Sequence, residues 1–526
     1  MLSGCSIGGL LNTRLTDGKN ALANFAFDKL PTELLVEIFK HARPDIAWGA
    51  YVQKYPTHLT RVCRYWRSVA LDAPTLWSNI YIMKHYTPEE TRVAARIYIE
   101  RSRTCPLLLT WFSNQGQANA KAQEVINNLI IPYANRWQRI TLIADGDEVA
   151  DTLLVVMGPL DFQILQDLEI SRLSSQPSLS VPTLCRSSPF LRRCRLRYVS
   201  SLPPLPSNLV IFDCLLTMLE GEPFNLDPLL EFLPHVAHSL EHLRFGPPIF
   251  GISVTRRESR VTLQNLKSLL VRDSCGIMEH ILTPNLTYFT ASHPFEPDAR
   301  KVAEMFYGFS APKLQSIRFG QTPLLPLLTL HDLPSMFPQL ESVMFADCTD
   351  ELAFIDLLEP PQPNNPSSLQ TTASHPENRK AENPFPKLKE LAISNMVDWT
   401  SLQVAIEKRL KNGDKSLRMI HLPKENITGP VVRHLTHWLP KQGIELVLYE
   451  PSNSYLSAPP VFQDDFCTEE CRLIEMMDET DWDDDEEDDD EDFEDFEYWQ
   501  ERSIYGDFYD DEEEEGDIEE EGFYDG

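Results

Sequence analysis

Histidine and cysteine clusters come nearest to a chemical site in this sequence. His235, His238 and His242 are spaced three and four residues apart, which on a helix would place three possible metal ligands on one face. The leucines around them follow a strand pattern instead, and no pair of cysteines lies nearby. We therefore interpret them as surface histidines and predict no metal site.

Cysteine chemistry and the common catalytic motifs also find no support. The ten cysteines form no C-x-x-C pair, and Cys467 and Cys471 flank two glutamates, which disfavour a reactive thiolate. The sequence contains no phosphate-binding glycine loop, no G-x-S-x-G and no H-E-x-x-H. We expect no enzyme activity, no catalytic residue and no cofactor.

The charge is concentrated at one end of the chain. Residues 464–526 contain 34 of the 79 acidic residues and two of the 47 basic ones, which leaves 45 of each sign in positions 1–463. The neutral body argues against a nucleic-acid partner. No uncharged run reaches the roughly 20 apolar residues of a membrane span, and no basic signal segment opens the chain. We expect a protein of the cytoplasm or nucleus with no membrane partner.

The elements that could present a binding surface begin with FDKLPTELLVEIFKHA, which predicts a helix. Pro31 suits a first helical turn, where its missing N–H has no partner to lose. Four apolar residues then recur on one face: Leu34, Leu35, Ile38 and Phe39.

A loop is expected over residues 41–58, and the stretch HLTRVCRYWRSVALDAPTLW then predicts a second helix that Pro74 closes. Its apolar face contains Leu59, Val62, Cys63, Trp66, Val69 and Ala70. A module of about 55 residues cannot bury this many large side chains within itself, so part of its surface is expected to bind a partner.

These residues carry a resemblance. LPTELLVEIF followed by VCRYWRSVALDAPTLW resembles the F-box in its fungal form. The resemblance implies docking to a Skp-type adaptor, and through it to a cullin-based ubiquitin ligase. It implies nine adaptor-binding residues: Leu30, Pro31, Leu34, Leu35, Ile38, Phe39, Val62, Cys63 and Trp66. The alternative is that these apolar residues only cap the core of the next domain.

From Trp137 onward the sequence repeats apolar residues at positions n, n+3 and n+5, at intervals mostly of 18 to 31 residues. The copies are Trp137/Ile140/Leu142, Leu165/Leu168/Ile170, Leu191/Cys194/Leu196, Leu240/Leu243/Phe245, Leu266/Leu269/Val271, Leu286/Phe289/Ala291, Leu314/Ile317/Phe319, Leu340/Val343/Phe345, Leu388/Leu391/Ile393 and Leu417/Ile420/Leu422, with a weaker one at Leu209.

Each copy predicts a short strand, and helical patterns between copies predict parallel strands joined by crossovers. The region resembles the degenerate leucine-rich repeats that often follow an F-box, although an asparagine ladder is not evident. The resemblance implies an α/β solenoid. An ordinary α/β domain remains the alternative.

Two segments lack the apolar residues that folding needs. Residues 359–384 are rich in proline, asparagine and serine, and the acidic tail carries aromatic residues between its charges. Both are predicted to be disordered. The tail is expected either to capture a basic protein or to serve only as a solubilising extension.

Together these patterns predict an α/β protein with a short all-helical F-box, a leucine-rich-repeat-like solenoid and a disordered acidic tail. The expected function is substrate recognition for a Skp–cullin–F-box ligase, with an unknown protein target. A non-degradative F-box scaffold and a plain leucine-rich-repeat interaction protein are the alternatives. The predicted regions are a disordered N-terminus (1–24), the F-box (25–82), a linker or capping region (83–136), the solenoid (137–450, with insert 359–384) and the tail (451–526).

Overall fold

The computed structural model describes residues 30–43, 50–82, 88–113, 125–144, 156–157, 160–172, 188–199, 205–216, 224–246, 252–253, 260–272, 276–292, 309, 311–320, 333–346, 358, 385–393, 399–423 and 430–449. All of them belong to one compact unit, Met1–Cys467. The predictions of disorder for 1–24, 359–384 and 451–526 fall on residues outside these ranges.

Helices form the first part of the described chain and recur between strands. The α-helices are α1 (Thr32–His41), α2 (Ala50–Val62), α3 (Arg64–Asp72), α4 (Pro88–Arg101), α5 (Asp227–Val236), α6 (Trp399–Lys411) and α7 (Pro430–Lys441). Short helical segments of other types are the 3₁₀ turns Pro74–Trp77, Ala134–Arg136 and Gly276–Glu279, and the π-helix Ile126–Ile130.

Fourteen strands form one sheet. They are β1 (Asn79–Ile82), β2 (Leu107–Ser113), β3 (Trp137–Ala144), β4 (Asp167–Arg172), β5 (Arg193–Val199), β6 (Ile211–Leu216), β8 (His242–Gly246), β11 (Ser268–Arg272), β13 (Tyr288–Ser292), β14 (Ser316–Gly320), β15 (Ser342–Ala346), β16 (Glu390–Ile393), β17 (Met419–Pro423) and β18 (Glu445–Tyr449). The short strands β7 (Phe224–Asn225), β9 (Ile252–Ser253), β10 (Val261–Thr262) and β12 (Ile281–Leu282) form two further pairs, β7–β9 and β10–β12.

The order of strands across the large sheet follows their order along the chain, and every neighbouring pair is parallel. Each strand is therefore added beside the one before it, as in a solenoid. The predicted α/β solenoid is confirmed, and the sheet order argues against an ordinary doubly wound α/β domain, where the order of strands reverses. That its units are leucine-rich repeats stays a prediction.

The repeated apolar pattern marks the core face of this sheet. All thirty residues of its ten copies are buried, as are Leu209, Phe212 and Cys214 of the weaker copy. The middle positions occupy one row of the sheet, as in the run from Ile140 through Leu168 and Cys194 to Phe212. Apolar residues of α4, α5, α6 and α7 pack into the same core.

The sheet is longer than the predicted solenoid. The region 83–136, predicted as a linker or cap, contains α4 and strand β2, and β1 lies inside the predicted F-box. Trp77, Ile80 and Ile82 in fact repeat the n, n+3, n+5 spacing. In β2 the pattern fails because the register with β3 shifts between Leu107 and Leu108, which changes the spacing of its buried residues.

The helices of the first module also differ in detail from those that the sequence predicts. The region 41–58, predicted as a loop, contains most of α2, which begins at Ala50 and includes Pro56. Proline usually breaks a helix because it lacks an N–H, but here Leu59 is buried and Tyr55 packs against the core, so tertiary packing stabilises the helix. The predicted second helix is divided at Cys63, where α2 ends and α3 begins.

A partial ladder of polar side chains links successive units at the turn before each strand. The Asn265 amide donates to the carbonyl of His238 at 2.6 Å, and the Asn285 amide donates to that of Gln264 at 2.7 Å. Asn208 donates likewise to the carbonyl of Pro189, and the Ser239 hydroxyl continues the series. This partial ladder occupies the position just before the repeated leucine in four units, at Asn208, Ser239, Asn265 and Asn285.

None of the helices in the described part of the chain has both the length and the apolar composition needed to cross a membrane.

Candidate docking site

Helix α1 carries two apolar stripes, one of which is buried and the other exposed. Its first turn follows Pro31, whose carbonyl accepts from the Leu35 N–H at 3.1 Å. Leu35 and Phe39 are buried, whereas Leu34 and Ile38 leave 54% and 45% of their surface exposed. Neighbouring residues on a helix are about 100° apart, so the face that the sequence predicts as one surface is split between core and solvent.

A buried ring contact connects α1 to α3. Phe39 and the half-buried Trp66 meet edge to face with ring centroids 4.8 Å apart. Trp66 follows the junction of α2 and α3, where Cys63 is extended and its Sγ accepts from the Trp66 N–H at 3.4 Å. The thiol thus caps α3 in the manner of a serine, which explains why the helix restarts at this point.

The junction also presents apolar surface. Val62, the last residue of α2, is 58% exposed, and Cys63 is exposed beside it. Leu34, Ile38 and Val62 are three of the eight large hydrophobic side chains that the described chain leaves exposed. We call the exposed residues Pro31, Leu34, Ile38, Val62 and Cys63 the docking surface. Exposed leucine, isoleucine and valine gain free energy when a partner covers them.

Two tyrosines fix this surface from behind. The Tyr65 hydroxyl donates to the carbonyl of Leu30 at 2.9 Å, which ties the start of α1 to α3. The Tyr55 hydroxyl donates to the carbonyl of Phe39 at 2.8 Å, and burial raises the pKa of Tyr55 to about 12. The Tyr55 phenol therefore stays protonated and keeps donating at any physiological pH.

The module is joined to the sheet through Trp77. Its indole N–H donates to the carbonyl of Ala70 in α3 at 2.8 Å, while its ring contacts Tyr98 of α4 at a centroid distance of 5.3 Å. The guanidinium of Arg101 lies 4.3 Å above the same ring. Because Trp77 belongs to both the helical module and the first repeat of the sheet, the helices that carry the docking surface share one continuous core with the sheet.

The nine predicted adaptor-binding residues thus fall into three groups. Five are exposed on the docking surface, two are partly buried and two are in the core. The partly buried ones are Leu30 and Trp66; the buried ones, Leu35 and Phe39, support the surface from below. That the nine residues contact an adaptor stays a prediction.

Sequence reasoning missed a second polar feature on the sheet. Arginine and acidic residues alternate across β3, β4, β5, β6 and β8, on the face opposite the core. The signal was present in positions n+2 and n+4 of the repeats, between the apolar residues. His242 lies in β8, as the leucine pattern predicted, but it is buried, so its interpretation as a surface histidine is wrong. His235 and His238 are exposed, as expected. The described residues contain no group of three or more possible ligands that could hold a metal ion.

Comparison with known protein families identifies the helical module as similar to a known domain. Residues 27–83 match the family model of the F-box-like domain. Among solved structures, a chain of the Rad7 and Elc1 complex from yeast is 12% identical, with a TM-score of 0.29; the match covers 66% of this chain and 96% of that chain. A TM-score this low indicates only a loose resemblance. No curated protein matches this chain in sequence.

Proposed function

We propose that the F-box-like domain at residues 27–83 docks this chain onto a Skp-type adaptor, and that the chain recognises proteins for a cullin-based ubiquitin ligase. The observation that carries the proposal is the match to the F-box-like family at the segment that leaves large apolar side chains exposed. An exposed apolar surface on short helices is a common way to bind a partner through side-chain anchors.

The sheet supports the second half of the proposal. A parallel sheet of fourteen strands in chain order offers a long surface built from repeated positions, which suits the binding of an extended protein segment. The shared core at Trp77 fixes the geometry between this surface and the docking helices. A protein held by the sheet would then stand at a defined distance from the ligase.

In this proposal the chain itself catalyses nothing and works in the cytoplasm or nucleus, while the partner ligase transfers ubiquitin. The identity of the target is set by side chains on the solvent face of the sheet, because fold alone does not determine specificity. The non-degradative scaffold is the variant of this proposal in which a bound protein is not consumed.

The test is capture of adaptor and cullin by the full chain expressed in cells. Replacing Leu34, Ile38 and Val62 by glutamate should abolish capture, because charged groups cannot enter an apolar interface without partners. The matched control replaces Ile131, Phe190 and Val404, which are also exposed, by glutamate and should capture normally. Equal capture by both triple variants would disprove the docking assignment.

A second measurement separates degradation from scaffolding. Proteins captured by the wild-type chain are quantified with the proteasome active and blocked. A ligase subunit should show bound proteins that accumulate several-fold when the proteasome is blocked, and this increase should vanish in the docking triple variant. Bound proteins whose amounts stay constant in both conditions would favour the scaffold.

A further inference from the structure

The last strand of the sheet has a neighbour on one side only. In the part of the chain that the structure describes, β18 pairs with β17 and with no further strand. The first strand differs, because β1 lies against α2 and α4 and its Ile80 and Ile82 are buried. A free edge offers a row of backbone N–H and C=O groups to another strand. The sheet can therefore be extended at β18.

The apolar core is also exposed at this end. Leu446 and Leu448 of β18 lie beside Ile420 and Leu422 of β17 in the parallel register. Both residues of β17 are buried, whereas Leu446 is half-buried and Leu448 is 36% exposed. Repeat proteins usually end in a unit with a polar outer face, because an open end leaves apolar residues in water. A partner that covers these leucines would extend the core and lower the free energy.

The direction of the backbone groups in β18 determines which of them are free. The Glu445 N–H donates to the carbonyl of Arg418 at 2.7 Å, so it points towards β17. Backbone groups alternate in direction along a strand, and Val447 therefore also directs its N–H and C=O towards β17. The N–H and C=O groups of Leu446 and Leu448 then point to the free edge, where they can bond to a new strand.

A second copy of β18 complements this edge. In an antiparallel pair, two opposite residues that direct their backbone groups at each other exchange two hydrogen bonds. A two-fold axis at Val447 places Leu446 of each copy opposite Leu448 of the other, so all the free groups of both edges are used. The two leucine pairs then lie on the core face of the joined sheet.

The other side chains of β18 are compatible with this register. Val447 meets its own copy and Glu445 lies opposite Tyr449, so no two like charges are directly opposed. The strand contains neither lysine nor proline, the residues that commonly prevent pairing at an exposed edge. Nothing in its sequence therefore opposes self-association.

The other two-fold registers match the strand less well. An axis at Leu448 would place Leu446 opposite the charged Glu450. An axis at Leu446 would place Leu448 opposite Ile444, whose side chain is already buried within its own copy. The axis at Val447 alone pairs both exposed leucines with leucines.

We propose that this chain forms a two-fold dimer in which the β18 strands of two copies pair antiparallel and join their sheets. The inference is independent of the proposed function. The helical module lies at the opposite end of the sheet, beside β1, and remains accessible to an adaptor. A dimer presents two copies of the sheet surface, so a target with two binding segments would be held more tightly than by one copy.

The test is sedimentation velocity of the full chain over a range of concentrations. Salt at about 0.3 M screens repulsion between the acidic residues 464–526 of two copies. We expect a monomer–dimer equilibrium with a Kd of about 1–10 μM, as for a small interface. Leu448→Lys should raise this Kd at least about tenfold, because it introduces a charge into an apolar pair.

Ile131→Lys is the matched control for that substitution. The Ile131 side chain is 40% exposed and follows the π-helix, far along the sheet from β18. Lysine at this position should change the Kd less than about twofold. Thermal denaturation of both variants shows whether either one is unfolded under the conditions of the test.

A cysteine crosslink tests the register directly. The two Val447 residues would form a non-hydrogen-bonded pair with Cα atoms about 4.5 Å apart, within the range of a disulfide. Mild oxidation of Val447→Cys should therefore yield a covalent dimer, with a peptide linked through residue 447 of both copies. Glu445→Cys is the control, because the two residues 445 would lie about 14 Å apart and could not be bridged.

Several results would overturn the inference. One is a wild-type chain that is monomeric at every concentration tested. Another is equal weakening by Leu448→Lys and Ile131→Lys, and a third is a crosslinked yield for Val447→Cys no greater than that for Glu445→Cys. Crosslinks from residue 447 to another cysteine of the same chain, without a linked dimer, would show that the chain covers its own edge.

Discussion

The helical module and the sheet use apolar residues at regular spacing in opposite ways. In the sheet, all thirty residues of the repeated pattern are buried. In the helices, the nine predicted binding residues are divided, and Leu34, Ile38 and Val62 remain in solvent. A repeated strand has a neighbour on either side to complete its core, whereas three short helices have too little volume to enclose their own side chains.

This difference shows where apolar periodicity indicates stability and where it indicates binding. An apolar residue of the sheet pattern contributes to the core wherever it occurs. An apolar residue of α1 contributes to stability or to binding according to its position around the helix, because Leu34 and Leu35 are adjacent in sequence and opposite in exposure. Substitutions that change either stability or binding, but not both, test whether core and docking residues are distinct.

The largest effect is expected at Trp77, which belongs to both regions. Trp77→Ala should lower the free energy of unfolding by about 3–5 kcal/mol, because it removes a fully buried ring and the hydrogen bond to Ala70. Chemical denaturation followed by circular dichroism measures the change. Phe190→Ala, at an exposed aromatic residue of the sheet region, is the control and should cost far less. Similar losses for both would show that Trp77 does not join the two regions.

Leu35→Ala and Leu34→Ala compare core and surface within one helical turn. Leu35→Ala should cost about 2–5 kcal/mol, and Leu34→Ala less than about 0.5 kcal/mol. Adaptor affinity should show the reverse order once both proteins are folded at low temperature. If the two substitutions destabilise the chain equally, the division of α1 into a core stripe and a docking stripe is wrong.

Much of the architecture could be predicted from sequence because burial in a repeated sheet leaves a regular pattern. The ten clear copies of the pattern located ten strands, and the weaker copy at Leu209 located β6. It missed β1, since Trp77 and Ile80 had been assigned to the helical module, and β2, since a register shift alters its spacing. It also missed β18, the last strand of the sheet, because the final copy identified was that of β17. The division of α1 could not be predicted, because it depends on how Phe39 meets Trp66 across the module. The alternating arginine and acidic residues of β3, β4, β5, β6 and β8 were missed, because in the sequence they follow the pattern of ordinary solvent-facing charges.

A smaller effect is expected from the polar ladder of the sheet. Asn265→Ala and Asn285→Ala should each cost about 0.5–1.5 kcal/mol, since each removes the hydrogen bond that its amide donates to the preceding unit. Asn285→Ala also removes the exposed hydrogen bond that its Oδ1 accepts from the Lys313 ammonium at 2.7 Å. The shift of the denaturation midpoint measures this loss. Asn128→Ala, at an exposed asparagine in the π-helix, serves as the comparison. A loss at the ladder no greater than that at Asn128 would show that the ladder does not stabilise the stack.

The smallest effect on stability is expected from alkylation of Cys63. This thiol is exposed, whereas Cys194 and Cys214 are buried and burial raises the pKa of the Cys214 thiol. Iodoacetamide should therefore modify Cys63 at least about tenfold faster than the buried pair, as measured by peptide mass spectrometry. Modification should shift the denaturation midpoint only slightly, because the alkylated sulfur can still accept from the Trp66 N–H, and it should weaken adaptor binding. Equal rates at all three thiols would contradict the exposure of the α2–α3 junction.

The most direct test of the docking assignment is hydrogen–deuterium exchange of the full chain with and without purified Skp-type adaptor. We expect slower exchange in Thr32–His41 and in residues 62–66 when adaptor is present, with no change in strands β11 to β17. Adaptor binding that slows exchange in the strands and leaves α1 unchanged would contradict this assignment.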